Sequence, residues 1–217
     1  MLIFQVVLDN KIILIGYSGH ALVVADTAFE NNCKIIGYTE KSFNVWNPYK
    51  LEYFGDESTP DFKGWDLDID FLIGIGDNNL RKKIYSLIIQ KGKKVVSLIN
   101  SHSSISKYAL IGEGVFINRN VSVNAFSSIG NNVILNTGCI IEHECEIQDD
   151  VHIAPGAVLA GNVKIGKGSF IGANAVIKQG VEIGKNAIVG AGAVILSDIK
   201  DGLKVAGNPG IPLKYQV

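Results

Sequence analysis

The stretch "VKIGKGSFIGANAVIKQGVEIGKNAIV", residues 163–189, places an aliphatic side chain at every sixth residue: Ile165, Ile171, Ile177, Ile183 and Val189. The same register runs without insertion back to Ile99 and on to Ile195, seventeen consecutive hexads in all. Four residues after each aliphatic position stands Ser, Ala, Val, Cys or, once at Ile199, Ile. Neither a helical period of 3.6 nor a strand period of 2 describes this pattern. A period of six is the signature of a β-solenoid, with one short strand per hexad turning its aliphatic residue inward. Gly or Asn often follows the aliphatic residue, and these positions are expected to serve the corners, where φ > 0 is cheap for Gly and tolerable for Asn. With three hexads per coil the segment makes about 5.7 coils, and at ~4.8 Å between neighbouring strands the stack is roughly 25 Å tall.

Upstream the periods change. "KIILIG" (11–16), "CKIIGYTE" (33–40), "IDFLIGIG" (69–76) and "KKVVSLI" (93–99) read as strands. "ALVVADTAFENN" (21–32) and "DNNLRKKIYSLIIQKG" (77–92) read as amphipathic helices, the second ending at Gly92. Strands alternating with helices predict a small parallel α/β sheet of the Rossmann kind. The expected domains are therefore 1–98 and 99–217. Residues 42–66, with Pro48, Pro60 and two tryptophans, read as a long connection able to cover a ligand.

Composition narrows the function classes. Of 217 residues, 47% are hydrophobic and 19% charged, which indicates a folded, core-forming chain. A net charge of −1 with no long basic run gives no electrostatic support for a nucleic-acid or anionic-membrane partner. Three cysteines make no disulfide framework, and a reducing cytoplasm is the expected compartment. The leading "MLIFQVVLDN" is too short to span a bilayer, which needs ~20 apolar residues. It lacks the basic leader of a signal peptide and reads as an extra edge strand or a start-site extension.

Two motifs carry chemistry. "GYSGHA" (16–21) joins a strand to a helix N-terminus, where free N–H groups and the helix dipole suit a phosphate. It is not the G-x-G-x-x-G fingerprint, although Glu40 ends the second strand where a ribose is held in such folds. A nicotinamide cofactor would lack a hydride-transfer partner in the other half. "NTGCIIEHEC" (136–145) sets a histidine between two glutamates inside the solenoid pattern. His143 is the third residue of its hexad, near a corner, so its side chain can leave the surface instead of stranding polar nitrogens in the core. Cys139 and Cys145 hold the fifth hexad place and read as small core residues, not acyl carriers. A catalytic zinc needs converging ligands, whereas His143 and His152 are joined only by the remote His102, so no metal is expected. His102 is expected to have a structural role.

A short Rossmann-like domain with "GYSGH", then "GIGDNNLRKKI", "ILNTGCIIEHECEI" and "VHIAPGAVLAGNVKIG", resembles the hexapeptide-repeat nucleotide-sugar acetyltransferases over about residues 11–213. The resemblance implies that the solenoid is a left-handed triangular β-helix. It implies acetyl-CoA-dependent N-acetylation of a UDP-4-amino-4,6-dideoxy-N-acetylhexosamine, as in bacillosamine-type biosynthesis. O-acetylation of a sialic or other nonulosonic acid is the alternative, and a non-catalytic nucleotide-sugar-binding scaffold is a third. The matching positions assign UDP-sugar binding to Gly16, Ser18, Gly19, His20, Glu40, Lys41, Asn78 and Arg81. Arg81 is also readable as a solvated helix residue. Thr39 stands where the family often has an acidic residue. His143 would be the general base, since an amine attacking a thioester must lose a proton and imidazole suits that near neutral pH. Glu144, or alternatively Glu142, would orient it. Asn136 would hold the sugar amine or the histidine. His152 would contact the acetyl end of the cofactor, with a solvent-facing corner residue as the plain alternative. Coenzyme A would lie toward the later coils on backbone groups near Gly161, Ala173 and Ala191, closed by a loop centred on Pro209. A groove between solenoids implies a homotrimer.

Overall fold

The computed structural model describes residues 10–213, so the apolar leader falls outside the described residues. The chain divides into two compact units between Ser101 and His102.

The first unit is a four-stranded parallel sheet in the order β3-β2-β1-β4, with β1 at Ile12–Ile15, β2 at Ile35–Thr39, β3 at Glu52–Tyr53 and β4 at Asp70–Ile73. Every residue of β1 and β4 is buried, which explains why both read as unbroken apolar runs and not as alternating strands. Helix α1 (Gly19–Glu30) buries the small face Ala21, Val24, Ala25, Thr27 and Ala28. Helix α2 (Asn78–Gln90) is capped by Asp77, whose Oδ1 accepts from Leu80 N at 2.8 Å, and buries Arg81, Ile84 and Ile88. The expected fourth strand, "KKVVSLI", makes a parallel bridge from Val95 to Phe71 and a two-residue strand at Leu98–Ile99. Beyond Val95 the chain is drawn to α1: Asn31 Nδ2 donates to Ile99 O at 2.6 Å, and Asn100 Nδ2 donates to Glu30 at 2.8 Å. The long connection supplies the edge strand β3, too short to leave a period. It is tied down by Tyr17 Oη donating to Asn47 Oδ1 at 2.8 Å and Asn44 Nδ2 donating to Tyr17 O at 3.0 Å.

The second unit is a left-handed parallel β-helix of two-residue strands. Each strand pairs with the one eighteen residues on, as in Ile129↔Ile147, Leu135↔Ile153 and Ile141↔Leu159. Three hexads therefore make one coil, with Ile141, Ile147 and Ile153 on successive faces. From Ile117 to Ile195 each first-position aliphatic is no more than 4% exposed. Burial of one such side chain is worth ~1.5–3 kcal/mol, repeated at each hexad.

The corners correct the glycine reading. Positive φ falls on the fourth hexad place, at every sixth residue from Gly114 to Gly192. All of these residues are Gly, Asn or Asp except Phe126 (φ +62°) and Glu144 (φ +61°). A left-handed conformation costs a residue with a Cβ roughly 1–2 kcal/mol. The glycine directly after the aliphatic residue answers a different need, because the next coil lies against it. A Cβ on Gly172 would stand 2.5 Å from Ala191 N. The repeat ends with a four-residue step from Ile195 to Ile199, which bridges Ile183 and so opens the last coil. Val205 then pairs with Val189, and the chain turns back antiparallel, Ala206↔Ile211, through residues 207–210 with a cis Asn208–Pro209 bond.

Candidate active site

His143 and Glu144 form the turn after the strand Ile140–Ile141. His143 Nδ1 lies 3.0 Å from Glu144 Oε2, and both side chains are at least half exposed. A carboxylate oxygen can accept from a protonated Nδ1, and the tautomer that makes this bond leaves the Nε2 lone pair for an incoming N–H. The carboxylate on the ring is Glu144, not Glu142. The strained φ of Glu144 is part of that geometry, since the positive-φ corners from Gly114 to Gly192 are otherwise Gly, Asn or Asp except at Phe126. One coil further on is Gly161. A Cβ there would stand 2.4 Å from His143 Cε1 and 2.5 Å from Nε2. The imidazole thus occupies the space that any larger residue at 161 would fill.

The corner after the strand Ile134–Leu135 holds a second group. Asn136 Oδ1 accepts from Thr137 N at 2.8 Å and from Asn118 Nδ2 at 3.2 Å. These bonds fix the amide, whose nitrogen stands 3.4 Å from His152 Nε2. His152 is not a solvent-facing corner residue: it lies in the strand His152–Ile153, is 8% exposed, and meets the Phe170 ring edge-on at 5.1 Å between centroids. In one chain, therefore, His143 and Asn136, which is paired with His152 in the neighbouring strand, occupy corners at opposite ends of the Ile140–Ile141 face.

The Asn136 corner continues through Ala173 and Ala191. The equivalent N–H groups at Glu113, Asn131, Lys167 and Lys185, on another corner, are satisfied by side-chain oxygens of Asn131, Asp149, Gln148 and Asp201. Those of Ala173 and Ala191 meet no acceptor among the described residues. Small residues thus leave a strip of bare backbone donors, able to receive the carbonyl oxygens of an extended amide chain. Pro209 sits in the closing turn, where Gly210 N donates to Val194 O at 2.8 Å.

In the first unit the "GYSGH" turn has Gly16 at φ +83° and Ser18 as N-cap without a side-chain cap bond. Arg81 is not a solvated helix residue: it is 2% exposed, and its Nη1 donates to Gly76 O at 3.2 Å. Burial first, and the charge of Arg81 second, lower the pKa of His20 to about 4. His20, Gly76 and Arg81 are therefore gathered beyond the carboxyl ends of β1 and β4, where open α/β sheets bind ligands. Glu40 accepts from Tyr17 N at 3.2 Å, so it also braces the turn. Lys41 is exposed, and Asn78 opens α2. Thr39 is fully buried at the end of β2.

Residues 126–161 and 162–197 match the bacterial transferase hexapeptide model of six repeats, and residues 11–88 match the PglD N-terminal domain. The acetyltransferase domain of PglB from Neisseria gonorrhoeae, solved with acetyl coenzyme A, is 33% identical over 94% of this chain and 99% of its own, with a TM-score of 0.87. The chain belongs to the hexapeptide-repeat acetyltransferases that carry a PglD-type N-terminal domain. GDP-perosamine N-acetyltransferase from Caulobacter crescentus, solved with CoA and GDP-perosamine, is 29% identical over 95% of this chain and 98% of its own, at a TM-score of 0.88. WeeI from Acinetobacter baumannii is 27% identical over 94% and 99%, at 0.83.

In this acetyltransferase Cys139 and Cys145 are fully buried, and burial pushes the Cys139 thiol up to about 12. Neither is placed to carry an acyl group. Among the described residues no group of three or more His, Cys, Asp or Glu side chains is set to hold a metal ion. No described helix is long and apolar enough to cross a membrane.

His20 gives the enzyme a pH-dependent stability. A base with its folded-state pKa lowered leaves the unfolded chain binding more protons below pH 6.5. The contribution of His20 is complete above pH ~6.5, is lost as pH falls toward ~4, and stays lost below that. The loss is on the order of 3 kcal/mol. Denaturant unfolding of His20→Gln at pH 7 and pH 4.5 is expected to show a smaller difference than the unsubstituted chain; an equal difference would refute the assignment.

Proposed function

We propose that the chain transfers the acetyl group of acetyl-CoA to the 4-amino group of a UDP-linked 4-amino-4,6-dideoxy-N-acetylhexosamine, with His143 as general base. The observation that carries the reading is the His143–Glu144 pair at 3.0 Å with Nε2 turned from the carboxylate, on a fold matching sugar acetyltransferases from end to end. The amine attacks the thioester carbonyl and gives its proton to Nε2. Glu144 stabilises the imidazolium through Nδ1–H. Collapse of the tetrahedral adduct breaks the C–S bond, and the same proton passes to the departing CoA sulfur.

The bare N–H groups of Ala173 and Ala191 receive the pantetheine carbonyls, with Pro209 closing over them. Gly16, Ser18, Gly19, His20, Asn78 and Arg81 surround the diphosphate, with Glu40 and Lys41 toward the nucleoside. His20 is neutral and supplies a hydrogen bond; Arg81 supplies the charge. In a symmetric homotrimer the His143 corner of one copy would face the Asn136–His152 corner of the next, which completes a site that one chain holds only in halves.

The test is release of CoA thiol from acetyl-CoA with three acceptors in parallel: UDP-4-amino-4,6-dideoxy-N-acetylglucosamine, GDP-perosamine and a sialic acid. Turnover is expected with the UDP-linked amine. Turnover with GDP-perosamine alone would replace the nucleoside. Turnover with the sialic acid alone would overturn N-acetylation in favour of O-acetylation. Absence of CoA binding would leave the scaffold reading.

A further inference from the structure

Two residues break the corner rule of the solenoid, and they stand in one column. Phe126 and Glu144 are one coil apart, each in the left-handed place that elsewhere takes Gly, Asn or Asp. Their corners are tied by Glu144 N donating to Ala125 O at 3.0 Å. The strain at Glu144 is accounted for by its bond to His143. Phe126 has no such bond, and its ring is no part of the core, being 69% exposed. It stacks instead on Tyr108, the next residue down the column, at 5.5 Å between centroids and 25° between planes. Tyr108 is itself 56% exposed, and the Lys107 ammonium sits 4.9 Å from the centre of its ring. A strained backbone that holds an aromatic ring in solvent gains little from folding and points to use.

We propose that Phe126, backed by Tyr108, is the platform on which the acceptor sugar packs its apolar C–H face and 6-methyl group while its amine meets His143. The inference rests on the amino-sugar reading above. Two substrates must converge on one imidazole. The donor approaches along the later coils, where Ala173 and Ala191 bare their N–H groups. The acceptor is left the earlier coils, and the first side chain below the dyad on that column is Phe126, about one strand spacing of 4.8 Å away. A deoxy sugar offers an aromatic face the C–H surface it prefers, and an acceptor hydroxylated at that carbon would be the poorer partner.

Phe126→Asn tests this without endangering the fold, because Asn is the residue the repeat itself uses at this corner. Initial rates of CoA release are measured with UDP-4-amino-4,6-dideoxy-N-acetylglucosamine and acetyl-CoA varied in turn, alongside thermal unfolding and mass by sedimentation. KM for the amino sugar is expected to rise ~10-fold, the scale of one aromatic contact. KM for acetyl-CoA should stay within twofold, the mass should be unchanged, and Tm unchanged or higher. Unaltered sugar kinetics, with the wild type active and His143→Ala inactive, would overturn the platform and leave the proposed function standing. A lower mass would make the rings a contact between copies of the chain, which also overturns it. A wild type that acetylates no amino sugar would remove the acceptor reading and the platform with it.

Discussion

His143→Ala is expected to lower kcat by ~10²–10⁴-fold, the range for loss of a general base. On the proposed mechanism the effect is large because the attacking amine has to shed a proton as it bonds to the thioester carbon, and His143 combines an exposed side chain with a carboxylate 3.0 Å from its Nδ1. The loss should fall on kcat and leave KM for acetyl-CoA nearly unchanged, since the proposed donor strip at Ala173 and Ala191 lies on another corner. The fold should be indifferent: the side chain is half exposed and its hydrogen bond joins neighbours in sequence. Tm within a few degrees of the wild type would separate chemistry from unfolding. Activity within about threefold of wild type would end the assignment of His143 as the base.

Gly161→Ala is expected to cost ~10²-fold in kcat, through one methyl group that meets the His143 ring. Gly161 has no positive φ, so alanine suits its backbone, and only space is at issue. The added Cβ at 2.4 Å from His143 Cε1 drives the ring from its seat. A reacting group displaced by about 1 Å can lose ~10²-fold through misalignment alone. The resemblance assigns Gly161 to coenzyme A, and the kinetics divide the two roles. A positioning role lowers kcat at constant KM for acetyl-CoA; a cofactor role raises that KM. The double variant His143→Ala/Gly161→Ala completes the cycle. If Gly161 acts through the imidazole, the double variant is no slower than His143→Ala. A further drop of tenfold or more would show that Gly161 works independently of the ring.

How much of this was legible beforehand differs between the two units. A solenoid repeats one local rule, so each hexad carries the whole instruction: an aliphatic residue to bury, a small one four places on, and a residue that tolerates the corner. Seventeen repeats of a local rule are readable without any long-range information. The α/β unit was readable where its strands are buried on both faces and its helices amphipathic. Within "KKVVSLI" Val95 bridges the sheet and Leu98–Ile99 form a separate two-residue strand, a division that the apolar pattern does not mark. The corner glycines were assigned to the wrong place because a glycine needed for close stacking and one needed for positive φ look the same in sequence.

The sequence by itself determined the period, the α/β unit before it, and the histidine between two glutamates, because each depends on residues near one another in the chain; the coil of three hexads is fixed by the pairing of strands eighteen residues apart. Only the tertiary structure decided that Glu144 and not Glu142 meets the ring, that Arg81 and His152 are buried, and that Phe126 stands strained beneath the dyad. It also showed that Gly161 makes room for His143, although the signal was present one coil of eighteen residues away. These are contacts between coils or between a helix and a sheet, fixed by which side chains stacking brings face to face and by the dihedral angles of single corners, and neither quantity is written in the local order of residues.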